Sequence, residues 1–429
     1  MKKSQSMNRR DFLLYTGALG ASSTMGTLWS RTANAATVTL PFSNGVRPLV
    51  QYPEKRPLIQ LTTRPPQLET PFSVFDGNIF TPNDAFYVRY HNSFIFGGPT
   101  VGPQTIDSNT FRINVSGNVK TPLSISIADL KTKYAQFEIA AVNQCSGNSR
   151  VFFSPRVRGG QWANGAMGNA RWRGVRLKDV LMKAGVGAGA VQVAFNGLDQ
   201  TEGEAPDFEK ALDLSVAMNG EVMLAYMMNG EELPALNGFP VRLVVPGYYS
   251  TYWVKHVNQI TVVNSTYSTY YMTTAYRIPN NACACVPPGT TPTSTIPIGR
   301  MNVRSFITNL TDGQTLSYGS MGGSMGSMGS MGSMGMTVRG IAFDGGAGIW
   351  SVAFSPDGGF SWQDAQLGSG YGNYSFRPWS IQFSPKSPGT YALKVRATNN
   401  AGQTQPLDPN WNPSGYMRNV VETVTVTVA

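Results

Sequence analysis

One cysteine in a polar, turn-prone stretch is the first candidate for chemistry. It is Cys145 in AVNQCSGNSR, residues 141–150, where small residues flank the thiol and Arg150 follows five positions later. A thiolate binds soft, high-valent metals well, and a turn of small residues lets the backbone approach a bulky ligand. The next stretch supplies Trp162, several glycines and many arginines. These residue types favour a thiolate that ligates a metal beside a bulky cofactor.

The other two cysteines, Cys283 and Cys285, are separated by one residue. The Cα separation and dihedral angle that a disulfide requires make a bridge this short awkward, so a strained bridge, two free thiols and a structural contact are all open. The chain has no Cys-x-x-Cys-His motif and no cysteine set for an iron–sulfur cluster. We therefore expect no haem or iron–sulfur cluster in this chain, so electrons would leave to a separate carrier.

The N-terminus has the three regions of an export signal in order. Arg9-Arg10 precede a mildly apolar run rich in glycine and alanine, and Ala33-Asn34-Ala35 forms a small-x-small cleavage site. This order predicts a twin-arginine signal over residues 1–35, which we leave out of the fold prediction. Because that route carries folded proteins, usually after cofactor insertion, we expect a periplasmic protein with a prosthetic group.

Composition and charge narrow the classes of function. Hydrophobic residues make up 41% and charged residues 14% of the chain, which is typical of a globular protein, and the part after the signal suffices for two or three domains. No later stretch is long and apolar enough to span a membrane. The net charge is +10, of which the signal contributes +4 and the remainder +6. This charge favours an anionic substrate or cofactor and an acidic partner, whereas the lack of a basic stripe interleaved with aromatic residues argues against nucleic acid.

The texture of the sequence divides the rest of the chain. Residues 36–80 are rich in proline and predict an extended arm that wraps the next domain. Residues 81–275 mix strand-like alternation (TFRINVSGNV, AVQVAFNGL) with helical spacing (SISIADLKTKY, VRLKDVLMKAG). Residues 276–300 look like a linker, and short strands between turn signals in residues 301–429 are typical of an antiparallel β-sandwich of immunoglobulin type. The predicted fold class is therefore α+β, a mixed α/β domain followed by an immunoglobulin-like sandwich.

A low-complexity run of methionine, glycine and serine lies at residues 319–337, inside the predicted sandwich. No core can be built from it, so it predicts a long hairpin loop. Its methionines are ligands that Cu(I) accepts. The expected interpretation is nevertheless a connecting loop without a metal.

Several ordered motifs resemble the sulfite oxidase family of molybdopterin enzymes. They are Cys145-Ser146-Gly147-Asn148 with Arg150, then GGQW and GAMGNARWRGVRLKDVL, with NDAFYVRYHN upstream and LAYMMNGEELPALNGFPVRLVVPGYYSTYWVKHV downstream. The stretch TAYRIPNNACACVPPGT is most similar to periplasmic bacterial sulfite dehydrogenases, whose catalytic subunit passes electrons to a c-type cytochrome. The resemblance covers nearly the whole chain after the signal, and it implies a sulfite-oxidase-type molybdopterin domain over residues 81–275 and a dimerisation-type sandwich domain.

The resemblance implies that Cys145 ligates molybdenum beside molybdopterin, and that the substrate is sulfite, a small dianion held by arginines. Arg89 and His91 in VRYH match active-site positions, and residues i and i+2 of a strand project from the same face. The remaining residues that match substrate and active-site positions are Arg150, Trp162 and Tyr276. Arg418 is the candidate for a further substrate arginine from the sandwich, at a spacing that differs from the vertebrate pattern.

The resemblance also implies a binding site for the pterin and its phosphate. Arg242 in GFPVR and Lys255 in WVKH match the phosphate-binding residues, and His256 is adjacent. The segment near the cofactor contains Asn83, Phe86 and Tyr87. This chain departs from the family at residues 206–210, where many members have a Ser-Ile-Pro-like segment, so no cofactor contact is carried over from that loop.

The sequence thus predicts a periplasmic sulfite dehydrogenase that donates electrons to a c-type cytochrome, as a homodimer or as a heterodimer with a cytochrome subunit. Two alternatives share the fold: the molybdenum subunit of a sulfur-oxidising (sulfane dehydrogenase) complex and a methionine-sulfoxide reductase. Tyr276, Arg89 and the sandwich argue against the reductase. A non-catalytic periplasmic binding module is an alternative of another class, which the export signal and Cys145 disfavour.

Overall fold

The computed structural model describes residues 36–39, 45–63, 65–92, 106–199, 201, 204–318 and 335–429. The predicted export signal and residues 319–334 of the predicted Met/Gly/Ser loop lie outside these ranges. Residues Thr37–Ala429 form one compact unit. Its helices are short: α1 (Val74–Gly77), α2 (Ile127–Thr132), α3 (Leu177–Ala184), α4 (Leu214–Ala217) and α5 (Tyr270–Thr273), with 3-10 turns at Asn83–Ala85, Arg150–Phe152, Ala235–Asn237 and Ser250–Tyr252.

Strands make up most of the regular structure of the described residues. In chain order they are β1 (Thr37–Thr39), β2 (Val46–Val50), β3 (Leu58–Thr63), β4 (Pro66–Glu69), β5 (Val88–Arg89), β6 (Arg112–Gly117), β7 (Leu123–Ser126), β8 (Gln136–Gln144), β9 (Met167–Arg176), β10 (Gln192–Asn196), β11 (Lys210–Asp213), β12 (Met223–Met228), β13 (Glu231–Glu232), β14 (Arg242–Val244), β15 (Gln259–Val263), β16 (Arg277–Pro279), β17 (Thr295–Pro297), β18 (Arg304–Ile307), β19 (Gln314–Leu316), β20 (Met336–Phe343), β21 (Ile349–Ser355), β22 (Gln363–Asp364), β23 (Gln366–Leu367), β24 (Arg377–Phe383), β25 (Gly389–Asn399) and β26 (Thr423–Val428).

The segment predicted as an extended arm forms most of an antiparallel sheet, in the order β1-β2-β3-β4-β5. Leu58, Leu68 and Val88 are fully buried and pack together in this sheet, which gives the proline-rich segment its own small core. The register sets Gln67 of β4 opposite Arg89 of β5. The arm therefore places Gln67 beside Arg89, one of the predicted substrate arginines.

Two further sheets form the middle of the chain, in the orders β11-β10-β15-β6-β7 and β13-β12-β9-β8, with β14 paired to β12. β8 and β9 pair antiparallel from Gln136 opposite Val175 to Gln144 opposite Met167. Apolar side chains of this ladder are fully buried, which fixes its register because a slip by one residue would turn them to the other face. The ladder ends at Gln144, so Cys145 directly follows the last residue of β8 and remains buried in the main core.

Both helices predicted from helical spacing are confirmed. At the start of α2, the Ser126 hydroxyl accepts from the Asp129 N–H at 3.0 Å and the Asp129 carboxylate accepts from the Ser126 N–H at 3.0 Å, which is a capping box. α3 buries Leu177 and Leu181, and it ends at Gly185 with φ +70°. In the described part of the chain, no helix is long and apolar enough to cross a membrane.

The segment predicted as a linker, residues 276–300, contains an antiparallel hairpin of β16 and β17. Tyr276, Ile278 and Ile298 are buried in the main hydrophobic core. Cys283 and Cys285 form a disulfide, which is one of the alternatives that the sequence left open. This segment is therefore packed against the core, and the packing determines the position of Tyr276.

The C-terminal part has two sheets, in the orders β18-β20-β24-β23 and β19-β26-β25-β21-β22. Their facing residues, among them Val338, Phe354, Trp379 and Val395, form a separate core. All strand pairs are antiparallel except β19 with β26, which run parallel. The predicted sandwich and the predicted mixed fold are confirmed, and strands outnumber helices among the described residues.

Candidate active site

Cys145 lies in a tight turn whose backbone is held on both sides. Its N–H donates to the Ala166 carbonyl at 2.9 Å, and its carbonyl accepts from the Asn148 N–H at 3.0 Å. The Asn148 side-chain oxygen accepts from the Ala166 N–H at 3.0 Å. Among the described residues Cys145 is the only free cysteine, and its side chain is buried. These bonds fix the thiol at the point where two cavities meet.

We name these cavities the inner cavity and the outer cavity. The inner cavity is lined by Tyr87, Arg89, His91, Asn143, Cys145, Ser146, Phe208, Leu236, Asn237, Arg242, Ser250, Thr251, Trp253, Lys255 and Tyr276. The outer cavity is lined by Gln67, Arg89, Cys145, Ser146, Arg150, Arg158, Gly159, Gly160, Trp162, Tyr276, Pro413, Ser414 and Tyr416. Arg89, Cys145, Ser146 and Tyr276 line both. A metal bound to the thiol would therefore face both cavities.

Buried polar atoms of the inner cavity have no hydrogen-bond partner among the described residues. They are Nδ2 of Asn143, Oγ of Ser146, Nε of Arg242 and Oγ1 of Thr251. An unsatisfied buried polar group costs about 1–3 kcal/mol, so native proteins rarely leave several of them side by side. The donors of this set fit a polar ligand that offers acceptor atoms, such as a pterin that carries a phosphate.

Two cations of the inner cavity, the buried Arg242 and the half-buried Lys255, add positive charge to this site. Arg242 donates to the carbonyls of Asn237 at 2.9 Å and Trp253 at 3.2 Å, and burial lowers the pKa of its guanidinium to about 10. The Lys255 ammonium donates to the Arg89 carbonyl at 2.7 Å, and burial lowers its pKa to about 7. Burial disfavours the charged forms, and an anionic phosphate would offset that cost. The geometry fits the phosphate-binding role predicted for both residues.

Arg150 is fixed beside the outer cavity by carbonyl groups and glycines. Its Nε donates to the Ser414 carbonyl at 3.1 Å and its Nη1 donates to the Gly160 carbonyl at 2.9 Å. A Cβ atom at Gly147 would fall 2.6 Å from the Arg150 Nη1, and one at Gly159 would fall 2.9 Å from it. Only glycine leaves room for the guanidinium at these two positions. The small residues around the cysteine motif therefore accommodate the arginine.

Aromatic rings form part of the wall of each cavity. Trp162 lines the outer cavity with its ring almost fully buried, and it meets Tyr87 of the inner cavity edge-to-face at 6.3 Å between centroids. The Tyr87 hydroxyl donates to Oδ1 of Asn143 at 2.6 Å. These contacts hold Trp162 as a wall of the outer cavity, and they place Tyr87 where the resemblance predicted a residue near the cofactor.

His91 and Tyr276 are joined by a hydrogen bond between the imidazole Nε2 and the phenol oxygen. The imidazole stacks on Phe208 with 3.9 Å between centroids. Burial and the nearby Arg89 charge hold the pKa of His91 well below its usual range, and burial raises the pKa of Tyr276 above its usual range. Both groups are therefore neutral at neutral pH. Tyr276 has φ +56°, an uncommon backbone conformation that often occurs at functional sites.

Asn83, Phe86 and His256, which were predicted near the cofactor, do not line either cavity. The Asn83 amide donates to the Met228 carbonyl at 2.9 Å, and Phe86 packs edge-to-face on Trp172. His256 is fully buried and shares a 2.8 Å hydrogen bond with the Tyr90 hydroxyl, and burial lowers its pKa to about 3. These three residues therefore contact the surrounding structure and do not reach the cavity space.

The expectation that Arg418 faces the substrate is not met. Its guanidinium forms an ion pair with Glu422, which also binds Arg304 at 3.0 Å. Its centre lies 5.3 Å from the ring centroid of Phe152. Because Glu422 and the aromatic ring hold the guanidinium, the structure does not bring Arg418 to the outer cavity.

Sequence reasoning missed several lining residues. Gln67 reaches the outer cavity through the pairing of β4 with β5, for which the sequence has no local signal. Arg158 belongs to the arginine-rich stretch after Cys145, which was noted without singling this residue out. Tyr416 lies two residues before Arg418, and its ring stacks on Tyr276 with 5.4 Å between centroids. The right segment was therefore predicted to reach the site, but the wrong residue was chosen from it.

The loop at residues 206–210 also contributes to the site. Phe208 lines the inner cavity beside His91. The Lys210 ammonium donates to the Tyr271 carbonyl at 2.6 Å and lies 5.6 Å from the ring centroid of Tyr276. This segment, which departs from the family pattern, thus packs around the hydrogen-bonded pair of His91 and Tyr276.

Comparisons with known proteins agree with this geometry. Residues 100–271 match the oxidoreductase molybdopterin binding domain, and residues 295–429 match the Mo-co oxidoreductase dimerisation domain. Mitochondrial sulfite oxidase of Macaca fascicularis is 30% identical over 401 residues, which cover 89% of this chain and 68% of that protein, and the Homo sapiens enzyme has the same identity and coverage.

A solved structure shares the fold. The sulfane dehydrogenase SoxCD from Paracoccus pantotrophus superimposes with a TM-score of 0.66 at 20% identity, covering 95% of this chain and 93% of that one. The cysteine turn, the polar inner cavity and the sequence matches lead to one assignment. The chain belongs to the sulfite oxidase family of molybdopterin-binding oxidoreductases.

Proposed function

We propose that this protein is a periplasmic sulfite dehydrogenase that oxidises sulfite to sulfate at a molybdenum cofactor and passes electrons to a c-type cytochrome. The observation that carries the proposal is the position of Cys145 where the inner and outer cavities meet. Unpaired polar groups, Arg242 and Lys255 line the inner cavity, and Arg150 and Arg158 line the outer cavity. One thiol therefore faces a site for a cofactor and a site for an anion.

The residues of the inner cavity would hold molybdopterin. The Cys145 sulfur would ligate the metal, Arg242 and Lys255 would bind the phosphate, and the unpaired groups of Ser146 and Thr251 would bond the pterin. When bound, this cofactor supplies oxygen-atom transfer and accepts two electrons. The balanced reaction converts sulfite and water to sulfate, two protons and two electrons.

The outer cavity would bind and orient the anion. Arg89 and Arg150 present guanidinium groups that form charge-assisted hydrogen bonds with oxyanions. Trp162 and Tyr416 add aromatic walls beside these guanidinium groups. The fixed position of Arg150 means that little reorganisation accompanies binding.

The hydrogen bond between His91 and Tyr276 would orient the phenol hydroxyl beside the anion. Burial keeps the phenol protonated by raising its pKa, so the hydroxyl can donate to an oxygen of the substrate. With its proton on Nε2, the neutral imidazole would donate to the phenol oxygen and leave the phenol O–H free to donate to the substrate. Burial and nearby cations disfavour the imidazolium form, so the pair would orient a proton toward the anion without transferring it.

The location and the electron acceptor rest on the sequence. The twin-arginine pattern supports the periplasm, and the lack of a haem-attachment motif supports a separate carrier. We propose a c-type cytochrome, either as a diffusing partner of a homodimer or as the second subunit of a heterodimer. The match of residues 295–429 to a dimerisation domain supports an oligomer.

A second candidate is the oxidation of a sulfane sulfur, which the shared fold with a sulfane dehydrogenase favours. The two candidates differ in the substrate that the outer cavity accepts. Sulfite is a compact oxyanion that two arginines can bind directly, whereas a sulfane sulfur is bonded to another sulfur atom, as in a persulfide, and does not itself carry oxygens for the arginines. The arginine-lined outer cavity supports sulfite as the first choice.

The test is to purify the full chain from a host that makes molybdopterin and to measure its molybdenum, its pterin and its substrate range. We expect about one molybdenum per chain, since Cys145 offers a single thiolate. We also expect sulfite-dependent reduction of ferricyanide and of a c-type cytochrome, with no turnover of methyl sulfoxides. Turnover of a persulfide but not of sulfite would establish the second candidate. Absence of molybdenum would contradict both.

A further inference from the structure

A turn from the C-terminal part of the chain closes the outer cavity. We name residues 412–416 the closing turn; its members Pro413, Ser414 and Tyr416 line the cavity. The turn is 264 residues away in sequence from Arg150, to which Ser414 is hydrogen bonded. The anion site is therefore incomplete without a segment of the C-terminal domain.

The closing turn holds Arg150 in two ways. The Ser414 carbonyl accepts from the Arg150 Nε at 3.1 Å, and the Tyr416 ring lies 5.2 Å from the guanidinium carbon. Between them, Gly415 has φ +59°, and a Cβ there would fall 2.3 Å from Val157 and 3.0 Å from the Cγ of Arg150. The turn is thus packed directly against the arginine, so a shift of the turn would move the guanidinium.

One buried side chain, Asn412, sets the conformation of the closing turn. Its Nδ2 donates to the Tyr416 carbonyl at 2.8 Å, and its Oδ1 accepts from the Tyr416 N–H at 3.1 Å. Its own carbonyl accepts from the Gly415 N–H at 2.9 Å. Asn412 is fully buried and lines neither cavity. The amide therefore joins the two ends of the turn without touching the space where an anion would lie.

The same amide connects the turn to the disulfide loop. Asn412 Nδ2 also lies 3.4 Å from the carbonyl of Ala284, the residue between the bridged cysteines Cys283 and Cys285. Next to it, the Val286 N–H donates to the Trp411 carbonyl at 2.9 Å. The start of the turn is thus fixed to a covalently closed loop of the segment that carries Tyr276.

We propose that Asn412 is a positioning residue for the reaction, holding the closing turn in the shape that fixes the Arg150 guanidinium in the outer cavity. The inference rests on the proposed function, because the anion whose binding it affects is sulfite. Asn412 does not contact the substrate, and its effect passes through Ser414 and Tyr416 to Arg150. Loss of the amide would therefore weaken anion binding more than it would slow the chemical step.

The experiment compares Asn412→Ser with wild-type holoenzyme. Serine is neutral and too short to bridge the turn, so we expect the KM for sulfite to rise about ten-fold with kcat within roughly two-fold, the size expected for one or two lost hydrogen bonds. Competitive inhibition by sulfate should weaken by a similar factor, and molybdenum content should not change. Asn419→Ser is the matched control, because Asn419 is also buried and its amide donates to the Val303 carbonyl at 3.2 Å, away from Arg150.

A double-mutant cycle with Arg150→Gln separates positioning from a general effect on stability. If Asn412 acts through Arg150, Asn412→Ser should change the KM by less than about two-fold in the Arg150→Gln background. Asn412→Asp, which keeps Oδ1, replaces the serine variant if that variant does not fold. An unchanged KM in the single variant, or fully additive effects in the cycle, would overturn the inference while wild-type sulfite oxidation left the proposed function intact. Absence of sulfite oxidation by the wild type would overturn both.

Discussion

At the scale of single residues, Cys145 carries the clearest prediction. Replacing it with serine should abolish sulfite oxidation, because a hydroxyl is a much poorer ligand for a soft, high-valent metal than a thiolate. Pterin should remain bound, since Arg242, Lys255 and the other groups of the inner cavity are unchanged. The measurement is sulfite turnover with ferricyanide, together with pterin content. A serine variant that oxidised sulfite at the normal rate would disprove the role of the cysteine.

Arg89 gives a second prediction at this scale. The Arg89→Gln variant should raise the KM for sulfite by about ten- to a hundred-fold, because a charge-assisted contact contributes roughly 1.5–3 kcal/mol. Arg112→Gln is a suitable control, since Arg112 is exposed on β6 and lines neither cavity. Steady-state kinetics at constant ionic strength measure the effect. Equal KM values for the Arg89 variant and wild type would place this arginine outside the substrate site.

Residues inside compact motifs could be located from the sequence, and residues brought in by remote contacts could not. Cys145 and Arg150 are five positions apart and Arg89 and His91 are two positions apart, so their short spacing was enough to group them, although β5 ends at Arg89 and His91 lies just beyond that strand. Gln67 required the register of β4 against β5. The choice of Arg418 failed because an arginine two positions beyond the closing turn finds its partner in Glu422, which no local pattern indicates.

At the scale of elements, β4 supports the outer cavity through a buried carboxyl group. The Glu69 carboxylate accepts from the Gly165 N–H at 2.7 Å and the Ala163 N–H at 3.0 Å, which anchors the segment that carries Trp162. Burial raises the pKa of Glu69 to about 7, although these two hydrogen bonds act in the opposite direction. The strand therefore holds the wall of the cavity with a group that titrates near neutral pH.

The sign of the resulting pH dependence follows from this raised pKa. Between the ordinary value near 4.5 and about 7, the folded protein keeps a proton that the unfolded chain releases, so this contribution to stability is lost as pH rises through 7. The loss is on the order of 3 kcal/mol, since one pKa unit corresponds to about 1.4 kcal/mol. We expect the melting temperature of wild type to fall, relative to Glu69→Gln, between pH 5 and pH 8. Glu138→Gln, at an exposed position of β8, should follow the wild-type profile, and parallel profiles for all three proteins would contradict the prediction.

Elements with a strong local signal were predictable, whereas those formed by long-range pairing were not. α2 and α3 have caps and apolar spacing within a few residues, and the long sandwich strands β25 and β26 alternate over eleven and six residues. The arm and the linker carry prolines and little periodicity, so their strands were not predicted. The strands of the arm form because Leu58 of β3 and Leu68 of β4 pack on Val88 of β5. The strands of the linker form because β16 and β17 pair with each other beside the core.

At the scale of the whole molecule, the part that precedes the sandwich and the sandwich itself form one compact unit. The main core includes residues from both parts: Phe75 and Trp162 come from the catalytic part, and Phe306 and Phe376 come from the sandwich. The rings of Phe75 and Phe376 are in contact, with 6.0 Å between their centroids. The closing turn extends this continuity to the outer cavity. A domain whose family name refers to dimerisation therefore also contributes to the outer cavity, which is the proposed anion site, and the two parts are expected to unfold together.

Electron exit is the prediction that belongs to the whole molecule. In the proposed function, sulfite oxidation releases two electrons and a c-type cytochrome accepts one at a time, so reoxidation would take two successive encounters. The chain after the predicted signal carries a net charge of +6, which should attract an acidic cytochrome surface and raise the association rate at low salt. We expect kcat/KM for the cytochrome to fall steadily as sodium chloride increases from 10 to 300 mM, because the Debye length shortens from about 30 Å to below about 8 Å. Sulfite oxidation at saturating sulfite and saturating ferricyanide is the control, because kcat under these conditions depends neither on acceptor association nor on protein docking. A cytochrome rate independent of salt would contradict electrostatic docking, and rapid turnover with oxygen alone would show that the protein is an oxidase.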